Sequence, residues 1–502
     1  MKRFELTDRE KRCILMMIIK ELVGRLMKGK IKYAIILLLM CYVLFVRIPG
    51  FAKAENLSVE ADGYIVKIVP PATVSLFSTN ECIGSNLGNR NDTIYIKDEE
   101  ELQKLQSTAR IKYIEPNYKA TLCAEPTDEL YTDQKNLSLI DAKAAWYIGC
   151  YGKDIRVGVI DSGANAHIDL AGNLLPGYNC LLNNYDTKDN VGHGTAVAGV
   201  IAAECNSVGV VGVAYKAKIV PIKCFDTDTE TYLSHLIEGI YVAVDEYQCD
   251  IINFSGGIDE SSQALDEAVD YAAKKGVIII AAVGNGGVTD KFYPASSTNT
   301  IGVGSVNNGK ALSSFSRRND SVFVVAQGEY CWLLKGSDAY DDKSRGTSYS
   351  APHVAGAAAI AKCIDENLDV NGLKTLLIAT SEDLGTVGYD TRFGYGLINI
   401  GRLVDKMLED TELFVSQIDV DNLGNASIKV YNNMLTRAYC NGIWADYNGE
   451  KLQSLEICEV EFDSKTAVEI KYMYKYNVLQ YMLWDSAENM IPLYKARRLV
   501  GQ

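Results

Sequence analysis

Four residues stand where their types could assemble a nucleophile with its activating base. Ser348 lies in the stretch 345–360, RGTSYSAPHVAGAAAI, between a Gly-Thr pair and an apolar run. Pro352 suits the first turn of a helix, having no N–H to lose there. The small apolar residues around it make a helix that can be buried all round. Ser348 is therefore expected at a helix mouth, facing backbone N–H groups and the positive end of the helix dipole. By itself such a serine is an N-cap. His193 lies in GHGTAVAG, 192–199, between glycines that let its ring pass bare backbone. Asp161 closes an apolar strand and can hold one imidazole nitrogen, fixing the tautomer. Asn285 follows a second apolar strand, and its amide can donate to a developing oxyanion beside the Ser348 N–H. An Asp after a strand, or an Asn before Gly, is by itself only a turn. Asp, His, Asn and Ser together, at strand ends and helix starts, describe nucleophilic acyl transfer. Of the other three histidines, His167 reads as structural, His235 stands alone on a helix, and His353 sits inside the helix that follows Ser348.

The elements that must position these residues alternate in type. Strands are expected at 155–160, 218–225, 250–254 and 277–283, and helices at 194–203, 233–247, 261–275 and 370–378. The 277–283 run, VIIIAAV, is too apolar for a half-solvated strand. This βαβα order predicts a parallel sheet covered by helices on both faces. In such sheets ligands sit at the C-terminal ends of the strands, where Asp161 and Asn285 fall.

Outside that block, composition changes twice. Residues 55–125 form a small mixed segment, with strands at 64–69, 93–96 and 111–120 and a helix at 99–108. Residues 406–502 are rich in Tyr and β-branched residues. They alternate at 427–431, 467–472 and 478–483, with turn signals at Gly424-Asn425 and Asn448-Gly449, which predicts a small antiparallel β-sandwich. At the front, the 14-residue apolar run 33–46 follows Lys28, Lys30 and Lys32 and precedes Ala52-Lys53-Ala54. That is the layout of a signal peptide, 1–54, cut after Ala54, with a possible true start at Met27. The run is short for a membrane span. The competing expectation is an uncleaved anchor.

The 502 residues carry a net charge of −14, although residues 1–54 hold twelve Lys and Arg against four Asp and Glu. So acidic a remainder argues against nucleic-acid or anionic-membrane partners. The 13 cysteines lie at irregular spacings with no CxxC pair, so neither a disulfide framework nor a zinc site is expected. Most are expected to be buried small apolar residues.

The four motifs VIDSG (159–163), HGTAVAG (193–199), AAVGN (281–285) and GTSYSAPHVAG (346–356) resemble those of the subtilisin-like serine proteases, the subtilases, in their chain order. The resemblance covers about 126–400 closely and 55–125 loosely, through the strand YIEPNY before the mature enzyme. It does not cover the C-terminal module. It implies that Ser348 is the nucleophile, His193 the general base and then acid, Asp161 the orienting acid and Asn285 the oxyanion donor, acting through an acyl-enzyme. It further implies a zymogen: a pro-region at 55–125 that acts as intramolecular inhibitor, a catalytic domain at 126–405 and an appended module at 406–502. The alternative for 55–125 is a free-standing small domain. Ser255, Gly256 and Gly257 resemble the family's edge strand, which pairs with extended protein or peptide substrates. Phe292, before Tyr293-Pro294, occupies a pocket position where the family often has a small residue. It implies small or medium apolar side chains at P1, the residue before the cut bond. Asp290 favours basic P1 residues if its loop reaches the pocket. The loop 204–210 resembles the family's structural calcium loop, with Asn206, Asp169 and the carbonyls of Glu204, Val208 and Val210 as ligands. An N-terminal ligand is not evident, and Asp128 is the substitute. The expected place is extracellular, secreted or associated with the cell envelope, with membrane contact only in export or through a retained anchor. The reading from another class is an extracellular or wall-associated binding protein on a subtilase scaffold, with little or no proteolysis.

Overall fold

The computed structural model describes residues 61–68, 85–86, 93–97, 99–108, 111–118, 125–226, 230–420, 425–434, 438–448, 451–473, 478–484 and 492–500. The expected signal peptide, and the Gly424 and Gly449 positions of the two expected turns, lie outside these residues. The chain divides into two compact units, one ending at Ala124 and the other beginning at Glu125.

The first unit contains strands β1 (Ala61–Ile68), β2 (Ser85–Asn86) and β3 (Thr93–Ile96), helix α1 (Glu99–Thr108) and strand β4 (Ile111–Tyr118). The strands form one antiparallel sheet in the order β2-β3-β1-β4. Val66, Ile94 and Ile96 from the sheet meet Leu102 and Leu105 from α1 in its core.

The second unit opens with two short helices, α2 (Lys135–Leu139) and α3 (Ala142–Tyr147). The main sheet follows: β5 (Arg156–Asp161), β6 (Tyr178–Asn179), β7 (Lys218–Lys223), β8 (Ile251–Phe254), β9 (Ile278–Ala282), β10 (Thr300–Val306) and β11 (Val324–Gln327). All seven strands are parallel, in the order β11-β10-β9-β8-β5-β7-β6. Every residue of β8, β9, β10 and β11 is buried, which needs cover on both faces. The cover comes from α4 (His193–Ala202), α5 (Leu233–Asp245), α6 (Gln263–Lys274) and the long α7 (Thr347–Ile364), which packs on α4 and on β8 to β11. Helices α8 (Val370–Thr380) and α9 (Ile400–Met407) complete the layer, and a small hairpin, β12 (Leu333–Lys335) and β13 (Ala339–Asp341), precedes α7. The chain leaves β5 first toward β7 and β6, then crosses to β8 on the other side. The sheet therefore has its switch point between β5 and β8, where open α/β sheets bind ligands.

The C-terminal strands form two antiparallel sheets. One contains β14 (Leu413–Val415), β15 (Asp419–Val420), β16 (Asn425–Asn432) and β19 (Ala467–Met473). The other has the order β18-β17-β20-β21, from β17 (Ala438–Asn448), β18 (Lys451–Phe462), β20 (Val478–Trp484) and β21 (Pro492–Val500). β16 alternates between half-buried and buried residues along its whole length, as a sheet with one core face must. Ala426, Ile428 and Val430 from the first sheet share a core with Cys440, Trp444, Leu479 and Tyr481 from the second. Lys153 and Lys216 both pair with Asp419, and Lys429 Nζ donates to the Trp146 carbonyl at 2.9 Å, joining these sheets to the parallel-sheet region. Of the eight cysteines whose side chains are described, seven are buried and Cys205 is exposed.

Candidate active site

β5 delivers Asp161 at its last residue, next to Ser162. Asp161 Oδ1 accepts from the Ser162 backbone N–H at 2.7 Å and lies 2.8 Å from His193 Nδ1. With Nδ1 committed to that carboxylate, Nε2 is the nitrogen left for a substrate-side proton. His193 is the first residue of α4, and its cap is Gly192 at φ 88°, a left-handed backbone that glycine adopts without strain. Gly194 has no room for a side chain: a Cβ there would stand 2.1 Å from the Gly163 carbonyl oxygen and 3.1 Å from Asp161 Cβ. This contact lets the helix start come close enough for the imidazole to reach Asp161. Burial pulls the His193 basicity down, and the charge and hydrogen bond of Asp161 outweigh it, leaving the ring above its ordinary pKa.

A carboxylate that the motifs did not single out, Asp189, holds this pair from behind. It is buried and accepts five hydrogen bonds: from Ser162 Oγ (2.8 Å), Val191 N (3.0 Å), Gly192 N (2.7 Å), Thr195 N (2.9 Å) and Thr195 Oγ1 (2.7 Å). It thereby ties the residue after Asp161 to residues on both sides of His193. Its only trace in the sequence is an Asp four residues before a Gly-flanked His.

Ser348 is the second residue of α7 and is 9% exposed. The helix begins at Thr347, so Pro352 lies inside it and not in its first turn as the sequence suggested. An interior proline removes the N–H that would bond the carbonyl four residues back, which here is that of Ser348. Ser255 Oγ donates to that carbonyl at 3.1 Å, and Ser348 Oγ donates in return to the Ser255 carbonyl at 3.1 Å. The Ser348 hydroxyl is thus bonded to Ser255 and not to His193. The His193 ring lies 5.5 Å, centroid to centroid, from the ring of the next residue, Tyr349.

Asn285 follows β9. Its Oδ1 accepts from Thr347 N at 3.0 Å and from Thr347 Oγ1 at 3.2 Å. Gly346 supplies no side-chain cap to α7, so Asn285 caps the helix from a different element. With Oδ1 occupied, Nδ2 is turned toward Gly346, 3.5 Å from where a Cβ would stand. The other histidines face elsewhere. His353 is buried between the Tyr349 carbonyl and Asn136, and His167 lies between the Ala339 carbonyl and the Asp169 N–H.

Ser255, Gly256 and Gly257 continue past the end of β8, and Ile258 bridges to Tyr293. The Phe292 ring stands between two glycines. Cβ atoms on Gly257 and Gly284 would be 2.8 and 3.1 Å from it. The Asp290 side chain is exposed; its carbonyl accepts from Arg317 and Asn319.

The backbone of the loop at 204–210 donates to two buried acids from other segments, Asp128 and Asp169. Asp128 Oδ1 accepts from Asn206 N (2.9 Å) and Ser207 N (3.0 Å), and Asp169 Oδ2 from Val210 N (2.8 Å). Their remaining oxygens, Asp128 Oδ2 and Asp169 Oδ1, are buried without a hydrogen-bond partner. Burial above all, with the nearby Asp128 charge, pushes Asp169 up to about 7. Two orphaned carboxylate oxygens with no compensating charge fit a divalent cation bound by oxygen. The Glu204 side chain is turned away to the Gly172 N–H at 2.6 Å, so only its carbonyl is a candidate ligand. Among the described residues, no group of three or more His, Cys, Asp or Glu converges on one point.

The sheet's switch point, with an Asp–His pair, a helix-mouth serine and an amide donor around it, defines a serine-hydrolase type of site. Residues 152–396 match the model of the subtilase family. Over 364 residues the chain is 30% identical to the thermostable alkaline protease of Halalkalibacterium halodurans, covering 72% of this chain and 95% of that protein. It is 34% identical over 263 residues to subtilisin BL of Lederbergia lenta, covering 52% and 95%. With the minor extracellular protease Epr of Bacillus subtilis it shares 35% identity over 312 residues, 60% of this chain but about half, 48%, of that protein's length. A protease from Pseudoalteromonas arctica, known as a solved structure, superposes with a TM-score of 0.52 at 26% identity, covering 57% of this chain and all of that one. The chain belongs to the subtilase family. It is a serine endopeptidase.

Proposed function

We propose that the chain is an exported endopeptidase, made as a self-processing zymogen, in which Asp161, His193 and Ser348 form the catalytic triad and Asn285 the oxyanion donor. The observation that carries this reading is the 2.8 Å bond between His193 Nδ1 and Asp161. It leaves Nε2 free to act as a base, and the His193 ring lies 5.5 Å from that of Tyr349, the residue after the helix-mouth serine. Ser348 Oγ leaves the Ser255 carbonyl and attacks the substrate carbonyl while its proton passes to His193 Nε2. The negative oxygen that forms is held by the Ser348 N–H, one of the unpaired donors of the α7 N-terminus, and by Asn285 Nδ2. His193 then gives the proton to the departing amine, leaving an acyl group on Ser348. Water, deprotonated by His193, releases the carboxylate product and restores the serine.

Residues 1–54 serve as signal peptide, 55–125 as pro-region and inhibitor, 126–405 as the catalytic domain and 406–502 as an appended module. The relative named as a minor extracellular protease supports the extracellular assignment. Substrate backbone pairs along Ser255–Gly257, and Phe292 restricts P1 to small or medium apolar side chains. When bound, a structural calcium ion would be held by Asp169, Asn206, Asp128 and the carbonyls of Glu204, Val208 and Val210. It would supply the counter-charge that the two buried acids lack.

The test is labelling with a fluorophosphonate probe. The processed wild-type protein is expected to label stoichiometrically and to cleave casein, and Ser348→Ala to do neither while keeping its fold. An unlabelled, folded wild type, or a Ser348→Ala variant that still cleaves, refutes the assignment.

A further inference from the structure

Arg317 is a buried arginine whose bonds run to three separate segments of the site. Its backbone N–H donates to the Gly284 carbonyl at 3.3 Å, and its Nε to the carbonyl of Asn285 at 3.3 Å. Its Nη1 donates to the carbonyls of Lys291 (3.0 Å) and Asp290 (3.4 Å), and its Nη2 pairs with Asp259 at 2.6 Å. The guanidinium also lies 4.8 Å over the ring of Phe292. One side chain therefore joins the segment after β9, the 290–292 segment and the loop that continues from Ser255–Gly257.

Those are the three segments around the Phe292 ring. The ring meets Gly257 on one side and Gly284 on another, and the Arg317 guanidinium lies over it. A phenyl ring on a loop can swing out of a pocket unless something holds it. Here the guanidinium lies on the ring and also grips the carbonyls of the two residues before it. Only a planar group with several fixed donors makes these contacts at once; a lysine ammonium is a single point of charge.

We propose that Arg317 is a specificity-determining strut: it fixes Phe292 across the P1 pocket, so that the restriction to small and medium P1 side chains depends on Arg317 and not on the phenyl ring alone. The proposal rests on the peptidase reading above and on the pocket position it gives Phe292. It also predicts a second, separable effect. Because Arg317 holds the Asn285 carbonyl, its loss lowers kcat for every substrate, beyond the change in P1 preference.

The experiment measures kcat and KM on peptides that differ only at P1 (Ala, Leu, Phe and Trp), with enzyme concentration set by fluorophosphonate titration. Wild type is expected to favour Ala and Leu over Phe and Trp by about tenfold or more. Phe292→Gly abolishes that preference. Arg317→Met, which keeps the side-chain length but not the donors, shifts the Phe-to-Ala ratio the same way by about threefold or more. Combined with Phe292→Gly it shifts the ratio no further, as expected of two residues acting as a unit. If Arg317→Met yields no titratable sites, Asp259→Asn carries the test, with a shift of about twofold in the same direction. An Arg317 or Asp259 variant that slows all four peptides by one common factor refutes the strut and leaves a merely structural residue. A wild type that prefers aromatic P1 also refutes it. A folded wild type that does not label refutes the peptidase reading and the strut with it, whereas labelling with unchanged P1 ratios refutes the strut alone.

Discussion

The proposed mechanism adds a second task, at the other end of the same amide, to the helix cap that Asn285 makes, and substitutions can separate the two. Oδ1 accepts from Thr347 N and Oγ1 at 3.0 and 3.2 Å and so caps α7, whose own cap residue is a glycine without a side chain. Nδ2 is the donor assigned to the oxyanion. Asn285→Ala removes both. It leaves the Thr347 N–H unpaired at a helix start, costing about 1 kcal/mol of stability. It also removes one oxyanion donor, for which the established magnitude, known from subtilisin and carried over here, is about 10²–10³ in kcat, or roughly 3–4 kcal/mol. Asn285→Asp keeps the acceptor and adds negative charge at a helix N-terminus, where the dipole favours it. It should therefore melt at or above the wild-type temperature while losing at least as much kcat as the alanine variant, since a carboxylate repels the oxyanion. KM should stay near the wild-type value in both variants, because the donor acts in the transition state. The assays are thermal unfolding in the Ser348→Ala background, to exclude self-digestion, and steady-state kinetics on a chromogenic peptide. Unchanged kcat with raised KM would falsify the oxyanion role. An aspartate variant that melts with the alanine variant would remove the capping role.

If His193 is the base, as proposed, it works only when neutral; Asp161 raises its pKa above the ordinary 6.5, so kcat/KM should be lost as pH falls through an apparent value above that figure. Asp161→Asn should move the limb to lower pH and cost several orders of magnitude in rate. A wild-type limb well below 6.5 contradicts the assigned pair. Calcium at about 100 times its dissociation constant should stabilise by about 2.7 kcal/mol, raising Tm by roughly 5–10 °C over chelated protein. Asp128→Asn in the Ser348→Ala background should remove most of that increment. Equal melting of the wild-type acids with calcium and with chelator rules the site out.

Much of the site was legible because its residues mark local boundaries. Asp161 ends a run of fully apolar residues, and Asn285 follows another, so a parallel sheet buried on both faces announces its own C-terminal edge. The small-residue helix after Ser348 was visible for the same reason. β10 and β11 went unread: TIGVGSV carries two glycines, which weaken a strand signal, and VVAQ is only four residues long. Pro352 was misplaced because the rule that puts proline in a first turn does not know of a hydroxyl on another element that replaces the missing bond. Asp189 and Arg317 were hidden for a further reason. Most of their partners are backbone N–H and C=O groups, which every residue carries and no motif records.

The proline inside α7 has a mechanical consequence. Any other residue at 352 would donate its N–H to the Ser348 carbonyl and close that bond within the helix. With the 352 donor missing, the Ser348 carbonyl is bound to Ser255, on the wall assigned to hold the substrate. The proposed nucleophile and the proposed substrate wall thus share one frame of reference. A shift of the Ser255 segment is thus passed directly to the Ser348 peptide, through a bond that a regular helix would have kept within itself.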